Sequence, residues 1–344
     1  MGPYRHLLLP LLQRLDPESS HALTIALVSP LQHLPGTQAL ARQAWACTDP
    51  TQAFTWKGLR FRNRVGLAAG LDKNARLVPF FVAAGAGFIE IGTVTPLAQP
   101  GNPKPRLARL KGQQALVNRL GFPSDGLPVV RARLARLRKV GIPLGANIGK
   151  NAATPLERAA EDYLACLEGL YPVADYFTVN VSSPNTVGLR DLQAKPALEA
   201  LTRALVARRK VLAGNSEPKP LLLKLSADLD EAGLNDAAEV CLANGIDGII
   251  AVNTTTNEEL RAKVGAPIAG GVSGPPLRER GLEVMRQLRK RVPSDYFLIG
   301  VGGISSASDA RAMREAGADA VQLYTALVYQ GPGLLGEIAR GLAA

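Results

Sequence analysis

Along most of this chain, short polar stretches stand just beyond apolar, β-prone runs, and their residue types limit the chemistry available. They are Asp72-Lys73-Asn74, Thr93, Asn147, Asn180 with Ser182-Ser183-Pro184-Asn185, Lys224, Asn253-Thr254, Gly302-Gly303 and Tyr324-Thr325. Four of these places offer asparagine, whose amide both donates and accepts, so the set suits a flat ligand bearing alternating carbonyl and N–H groups. Lys73 and Lys224 read as partners for a buried anion, against the plainer reading of surface lysines. All three histidines, His6, His21 and His33, lie near the N-terminus. A histidine-based hydrolase triad or metal site therefore has no material further along. Cys47, Cys166 and Cys241 are few and far apart, which suggests neither a disulfide framework nor a zinc site. No metal is expected.

Eight runs could position these groups: Val65 to Ala69, Phe88 to Ile91, Leu144 to Ile148, Tyr176 to Val181, Leu221 to Leu225, Gly248 to Val252, Phe297 to Val301 and Ala320 to Leu323. Helical patterns alternate with them over Thr154 to Glu168, Ala197 to Ala213, Asp230 to Ala243, Leu277 to Arg291 and Ser306 to Ala316. Eight strands alternating with helices predict an α/β fold, a closed (β/α)8 TIM barrel whose functional groups sit at the C-terminal ends of the strands. Gly302-Gly303 then follows the seventh strand and Tyr324-Thr325 the eighth, where barrels bind phosphate through backbone N–H groups. The stretch from Thr93 to about Val140, with Pro96, Pro100, Pro103 and Pro105, is too long for a plain crossover. It should form a lid or wall over the site.

The chain has 344 residues, 47% hydrophobic and 20% charged, enough for one large core. A net charge of +11 favours polyanions, whether nucleic acid, an anionic membrane surface or an acidic small substrate. No apolar run reaches the roughly 20 residues that span a bilayer. Residues 1–40 differ in character from residues 41–344. Tyr4, Leu7, Leu8, Leu11, Leu12 and Leu15 share a helical face, and Asp16-Pro17 opens a second helix through Leu23, Ala26 and Leu27, which Ser29-Pro30 and Pro35-Gly36 should break. This N-terminal helical hairpin extension either packs on the barrel or lies in a membrane interface, with Arg5 and Arg14 toward anionic lipid.

Five ordered motifs narrow the choice: the run from Val65 to Asn74, Glu90 to Pro96, Asn118 to Phe122, Asn180 to Thr186, and Gly300 to Ile304. With the hairpin before them, they resemble the class 2 dihydroorotate dehydrogenases over essentially the whole chain. The resemblance implies FMN-dependent oxidation of (S)-dihydroorotate to orotate in de novo pyrimidine biosynthesis, with a membrane quinone as acceptor. It implies an FMN site from Ala69, Gly70, Leu71, Asp72, Lys73, Thr93, Asn147, Asn180, Lys224, Val252, Gly274, Gly303, Tyr324 and Thr325. Substrate contacts would come from Lys73, Asn118, Arg119, Leu120, Gly121, Phe122, Asn180, Asn185, Asn253 and Thr254. Val252 stands where relatives often carry threonine, and Thr325 where serine is common.

Ser183 matches the catalytic base, where class 1 relatives carry cysteine. A serine hydroxyl is a poor base and needs a relay, for which Thr186 with an ordered water against Phe122 is placed. By the same resemblance the hairpin becomes a quinone path and a peripheral membrane contact on the cytoplasmic side of the cell membrane. Two rival readings compete with this one. A dihydrouridine synthase-like barrel acting on RNA would fit the charge but wants a loop cysteine and an added RNA-binding domain. A non-catalytic phosphate-ligand barrel leaves Ser183 and the asparagines idle. No nucleic-acid partner is expected.

Overall fold

Strands buried on both faces need continuous apolar sequence, and the eight runs deliver it. In the computed structural model, which describes residues 4–137 and 140–343, they form Val65–Leu67, Phe88–Val94, Leu144–Ile148, Tyr176–Asn180, Leu221–Leu225, Gly248–Ala251, Phe297–Val301 and Ala320–Leu323. All pair in parallel, and the eighth pairs with the first through Val321 and Val65, which closes the barrel. Residues 1–3 of the predicted extension, 138–139 of the predicted insertion and 344 at the predicted barrel's end lie outside the described residues.

The five predicted helices form within a few residues of their expected bounds. The largest shift is at Thr154, where Pro155 disfavours a helical predecessor. A single turn, Leu156–Arg158, comes first and the helix runs Ala159–Leu170.

One mouth of the barrel is plugged. A hairpin of Phe54–Trp56 and Leu59–Phe61 lays its aromatic side chains on Phe297 and Phe88, above a floor that includes Tyr176, Leu222 and Ile250. Large rings there require small neighbours: a Cβ on Gly145 would lie 2.0 Å from the Tyr176 ring. This plug, which the sequence reading did not foresee, leaves only the C-terminal ends of the strands free for a ligand.

The insertion forms a wall with secondary structure of its own. It contains the strands Leu107–Leu110 and Ala115–Asn118, which join Gly271–Ser273 in a three-stranded antiparallel sheet, and the helix Leu127–Arg136. That sheet ties the insertion to the segment after the sixth barrel strand.

At the N-terminus, a wide helical turn Tyr4–Leu8 and a short helix Leu9–Leu12 precede the helix Pro17–Leu31, which Asp16 caps by accepting from the Glu18 N–H at 2.8 Å. That helix ends at Leu31, one residue past the expected break at Ser29-Pro30. A further helix, Thr37–Trp45, spans the expected boundary at residue 40 and packs Trp45 against Phe80 at 6.0 Å.

Candidate active site

Above the apolar floor, the strand ends enclose a chamber with about 1040 Å³ of empty space counting its open mouth, at the top of the roughly 300–1,000 Å³ usual for small-molecule sites. Its two ends differ. At one, Gly274, Gly302 and Gly303 stand with Tyr324 and Thr325. Gly303 has φ +74°, and a Cβ there would lie 2.6 Å from the Arg278 backbone, so only glycine leaves backbone facing a ligand here. Burial raises the Tyr324 phenol to about 12, which keeps it protonated.

The other end is made of side chains. The strand Ala115–Asn118 brings in Asn118, whose Oδ1 accepts from Asn185 Nδ2 at 3.1 Å. Leu120, Gly121 and Phe122 continue that wall, and Asn253 and Thr254 face it. Asn253 Nδ2 donates to Ser182 Oγ at 2.9 Å, which fixes the segment carrying Ser183. The Ser183 Oγ is buried at the chamber wall and accepts only the weak 3.3 Å bond from the Asn185 N–H.

Between the ends lie Ala69, Gly70, Lys73, Thr93, Asn180, Lys224 and Val252. Lys73 Nζ donates to the Gly70 carbonyl at 2.6 Å. Burial lowers its pKa to about 8, with Glu18 of the N-terminal helix pulling the other way. Lys224 is also lowered by burial, opposed by Glu90.

The structure does not bring every expected residue to the lining. Asn147 sits one layer below, accepting from Thr93 Oγ1 at 2.6 Å and from Asn180 Nδ2 at 3.1 Å. The Asp72 carboxylate turns away and takes the Arg76 and Leu77 N–H groups at 2.8 and 2.7 Å, while Leu71 joins the core. Arg119 donates instead to the Pro105 carbonyl at 3.1 Å, because the residue after Asn118 faces the opposite side of an extended chain. Thr186 is buried with an unpartnered hydroxyl but lies off the lining.

Two residues were missed. Gln322 lines the floor, and Glu90 lies fully buried beneath it. The signal for Glu90 was a lone charge inside the apolar run Phe88-Ile89-Glu90-Ile91.

Groups left unsatisfied hint at what belongs in the chamber. Thr254 Oγ1 and Gln322 Oε1 are buried without a hydrogen-bond partner, a cost that a bound ligand would remove. A glycine end, a floor with an ammonium and a side-chain end rich in amides fit a phosphate-bearing heteroaromatic ring and a small polar ring beside it.

The chain is similar to known proteins over nearly its whole length. The family model "Dihydroorotate dehydrogenase" matches residues 52–344. A protein named dihydroorotate dehydrogenase (quinone) from Methylibium petroleiphilum is 50% identical over 337 residues, covering 97% of this chain and 96% of its own length. One of the same name from Acidithiobacillus ferrooxidans is 47% identical, covering 98% and 93%. The crystal structure of DHODH from Eimeria tenella in complex with ferulenol superimposes with a TM-score of 0.84 at 35% identity, covering 95% of this chain and 90% of that one.

Proposed function

Since this chain belongs to the dihydroorotate dehydrogenase family, we propose how its chamber performs that family's reaction. The activity is flavin-dependent oxidation of dihydroorotate to orotate, with a quinone as electron acceptor, in de novo pyrimidine biosynthesis. The flavin in this reading is FMN, which when bound supplies the hydride acceptor. Gly274, Gly303, Tyr324 and Thr325 hold its phosphate. Ala69, Gly70, Thr93, Asn180, Lys224 and Val252 border its ring, with Asn147 orienting Thr93 and Asn180 from below.

Substrate occupies the amide-rich end. Asn118, Asn185, Asn253 and Thr254 match its ring carbonyl and N–H groups, and Lys73 matches its carboxylate. Ser183 takes the ring proton as its own hydroxyl proton passes on through an ordered water held against Phe122 to Thr186. The observation that carries the assignment is the convergence of Ser183, Lys73 and four asparagines on one chamber that ends in glycine backbone. The three cysteines are buried and none lines the chamber, so none offers the loop acid that an RNA-modifying barrel would want.

Quinone access and a peripheral membrane contact on the cytoplasmic side are assigned to the N-terminal helices. Leu7, Leu8, Leu11, Leu23, Leu27 and Leu31 are exposed there, a face suited to a membrane interface. Among the described residues, no helix is long and apolar enough to cross a membrane. Within the helix Pro17–Leu31, burial together with the Lys73 charge pushes His21 down to about 4, which keeps its imidazole neutral. The test is direct: the purified protein should be yellow, dihydroorotate should bleach it anaerobically, and a quinone should restore the colour. A colourless protein that takes up no flavin would end this reading.

A further inference from the structure

Beneath the chamber, Glu90 is enclosed by four barrel strands besides its own. Its Oε1 accepts from Asn147 Nδ2 at 2.8 Å, and its Oε2 accepts from Thr178 Oγ1 at 3.1 Å and from Gln322 Nε2 at 2.9 Å. Both oxygens act as acceptors, the pattern of an ionised carboxylate. Lys224 Nζ completes the cluster, 3.8 Å from Oε1, with side-chain exposures of 6% and 0% for the pair.

A charge buried this deeply is costly unless it is paired and hydrogen-bonded. Glu90 meets both conditions, yet it is absent from the chamber lining and has no place in the reaction so far. An apolar side chain would suit a barrel core better if packing were its only task. Of its partners, Asn147 joins it to Thr93 and Asn180, while Gln322 and Lys224 face the chamber directly.

We propose that Glu90 is a positioning residue for the flavin reaction, the fixed counter-charge that keeps Lys224 an ammonium facing the chamber whether the flavin is oxidised or reduced. The inference rests on the flavin reading above. Two-electron reduction adds negative charge to the ring system, and a permanent ammonium stabilises it without a proton moving. Without the Glu90 charge, Lys224 keeps the desolvation that lowers it and loses the one charged partner that raises it. It then sheds its proton beside oxidised flavin and takes one from solvent as the two electrons arrive. The neighbouring titratable group, Tyr176, is driven well up by burial and by Glu90 itself, so it stays protonated. Lys73 lines the same chamber and titrates alike with and without Glu90.

The experiment is the equilibrium ratio of reduced to oxidised flavin at fixed dye potential, read from pH 6 to pH 9 in the flavin-loaded wild type, Glu90→Gln and Glu90→Asp. One extra proton taken up in Glu90→Gln makes its ratio fall, relative to wild type, by up to tenfold per pH unit, about 30 mV for a two-electron couple. Glu90→Asp keeps the charge and should follow the wild-type slope. Glu90→Gln running parallel to wild type within twofold over the whole range overturns the proposal, since a packing role moves no proton count.

Removing one partner of a buried pair can prevent folding. In that event Glu90→Gln/Lys224→Met is compared with Lys224→Met alone. Matching ratios within twofold support action through Lys224, and a tenfold difference overturns it. A wild type that binds no flavin refutes the functional reading instead.

Discussion

The barrel and the N-terminal helices handle the same residue in opposite ways. Leu221, Leu222, Leu223 and Leu225 occupy one barrel strand with no exposure, whereas Leu7 and Leu40 are 66% and 68% exposed. Nine of the fourteen large apolar side chains exposed among the described residues belong to residues 7–40. Yet the hairpin is not loose on its inner side. Glu18 pairs with Arg106, Gln32 Nε2 donates to the Arg76 carbonyl at 2.7 Å, and the Tyr4 hydroxyl donates to the Val328 carbonyl at 2.8 Å. Polar contacts, with Ile25, Val28 and Trp45 packed on the core, seat the helices, and most of their leucines are turned outward. The barrel thus carries the chemistry on its strand ends, while the hairpin presents a greasy outer surface above a mixed polar and apolar seat.

That division is tested hardest at Ser183. Replacing it by alanine should slow flavin reduction by dihydroorotate by about 10²–10⁴-fold, the usual worth of a positioned base, with FMN content and thermal stability retained. Stopped-flow bleaching measures it, and a slowing under threefold would remove Ser183 from the mechanism.

A cut after Gly36 should break the molecule along the same line. It spares the helix Thr37–Trp45, whose Trp45 packs on Phe80, so the barrel keeps its cover. The truncated protein should stay yellow and be bleached by dihydroorotate, while reoxidation by a long-chain quinone slows at least tenfold more than reoxidation by a small water-soluble acceptor. Binding to anionic liposomes should weaken in parallel. Equal slowing with both acceptors would make the hairpin a packing element.

How much of this division was legible follows from periodicity and its limits. Asn180, Ser183 and Asn253 stood out because polar residues ended runs that were otherwise apolar, and a parallel barrel puts such ends on one face. Glu90 was passed over because the surrounding run read as strand, and the pattern cannot tell a misplaced surface charge from a buried counter-charge. The resemblance groups Arg119 with its substrate-contacting neighbours, although alternation turns it outward. The plug at Phe54–Trp56 and Leu59–Phe61 escaped because strands of three residues carry too few alternations to register.

Within the barrel, the lowered Lys73 gives a pH signature. Its pKa of about 8 in the folded protein, against 10.5 for an unperturbed lysine, means that the ammonium needed for the substrate carboxylate is lost as pH rises through about 8. The kcat/KM for dihydroorotate should therefore fall toward tenfold per pH unit above that point, and Lys73→Met should abolish that limb along with most substrate affinity. Stability has the opposite sign. Between about 8 and 10.5 the unfolded chain holds the proton that the folded one has released, so this group's contribution to stability rises with pH across that window. A flat kcat/KM up to pH 10 would detach Lys73 from the substrate carboxylate.

The smallest expected effect is also the cleanest contrast. Leu223→Ala removes a fully buried side chain from a barrel strand and should cost about 2–5 kcal/mol, because transfer and cavity terms add. Leu27→Ala removes a side chain that is 56% exposed on the hairpin, where substitutions usually stay within about 0.5 kcal/mol. Chemical unfolding of the flavin-loaded protein compares the two. The hairpin variant should lose liposome affinity with its unfolding midpoint unchanged, and the barrel variant should do the reverse. If Leu27→Ala instead destabilised the protein by more than about 1.5 kcal/mol, Leu27 would be a packing residue in solution, and the membrane face would have to be sought elsewhere on the helices.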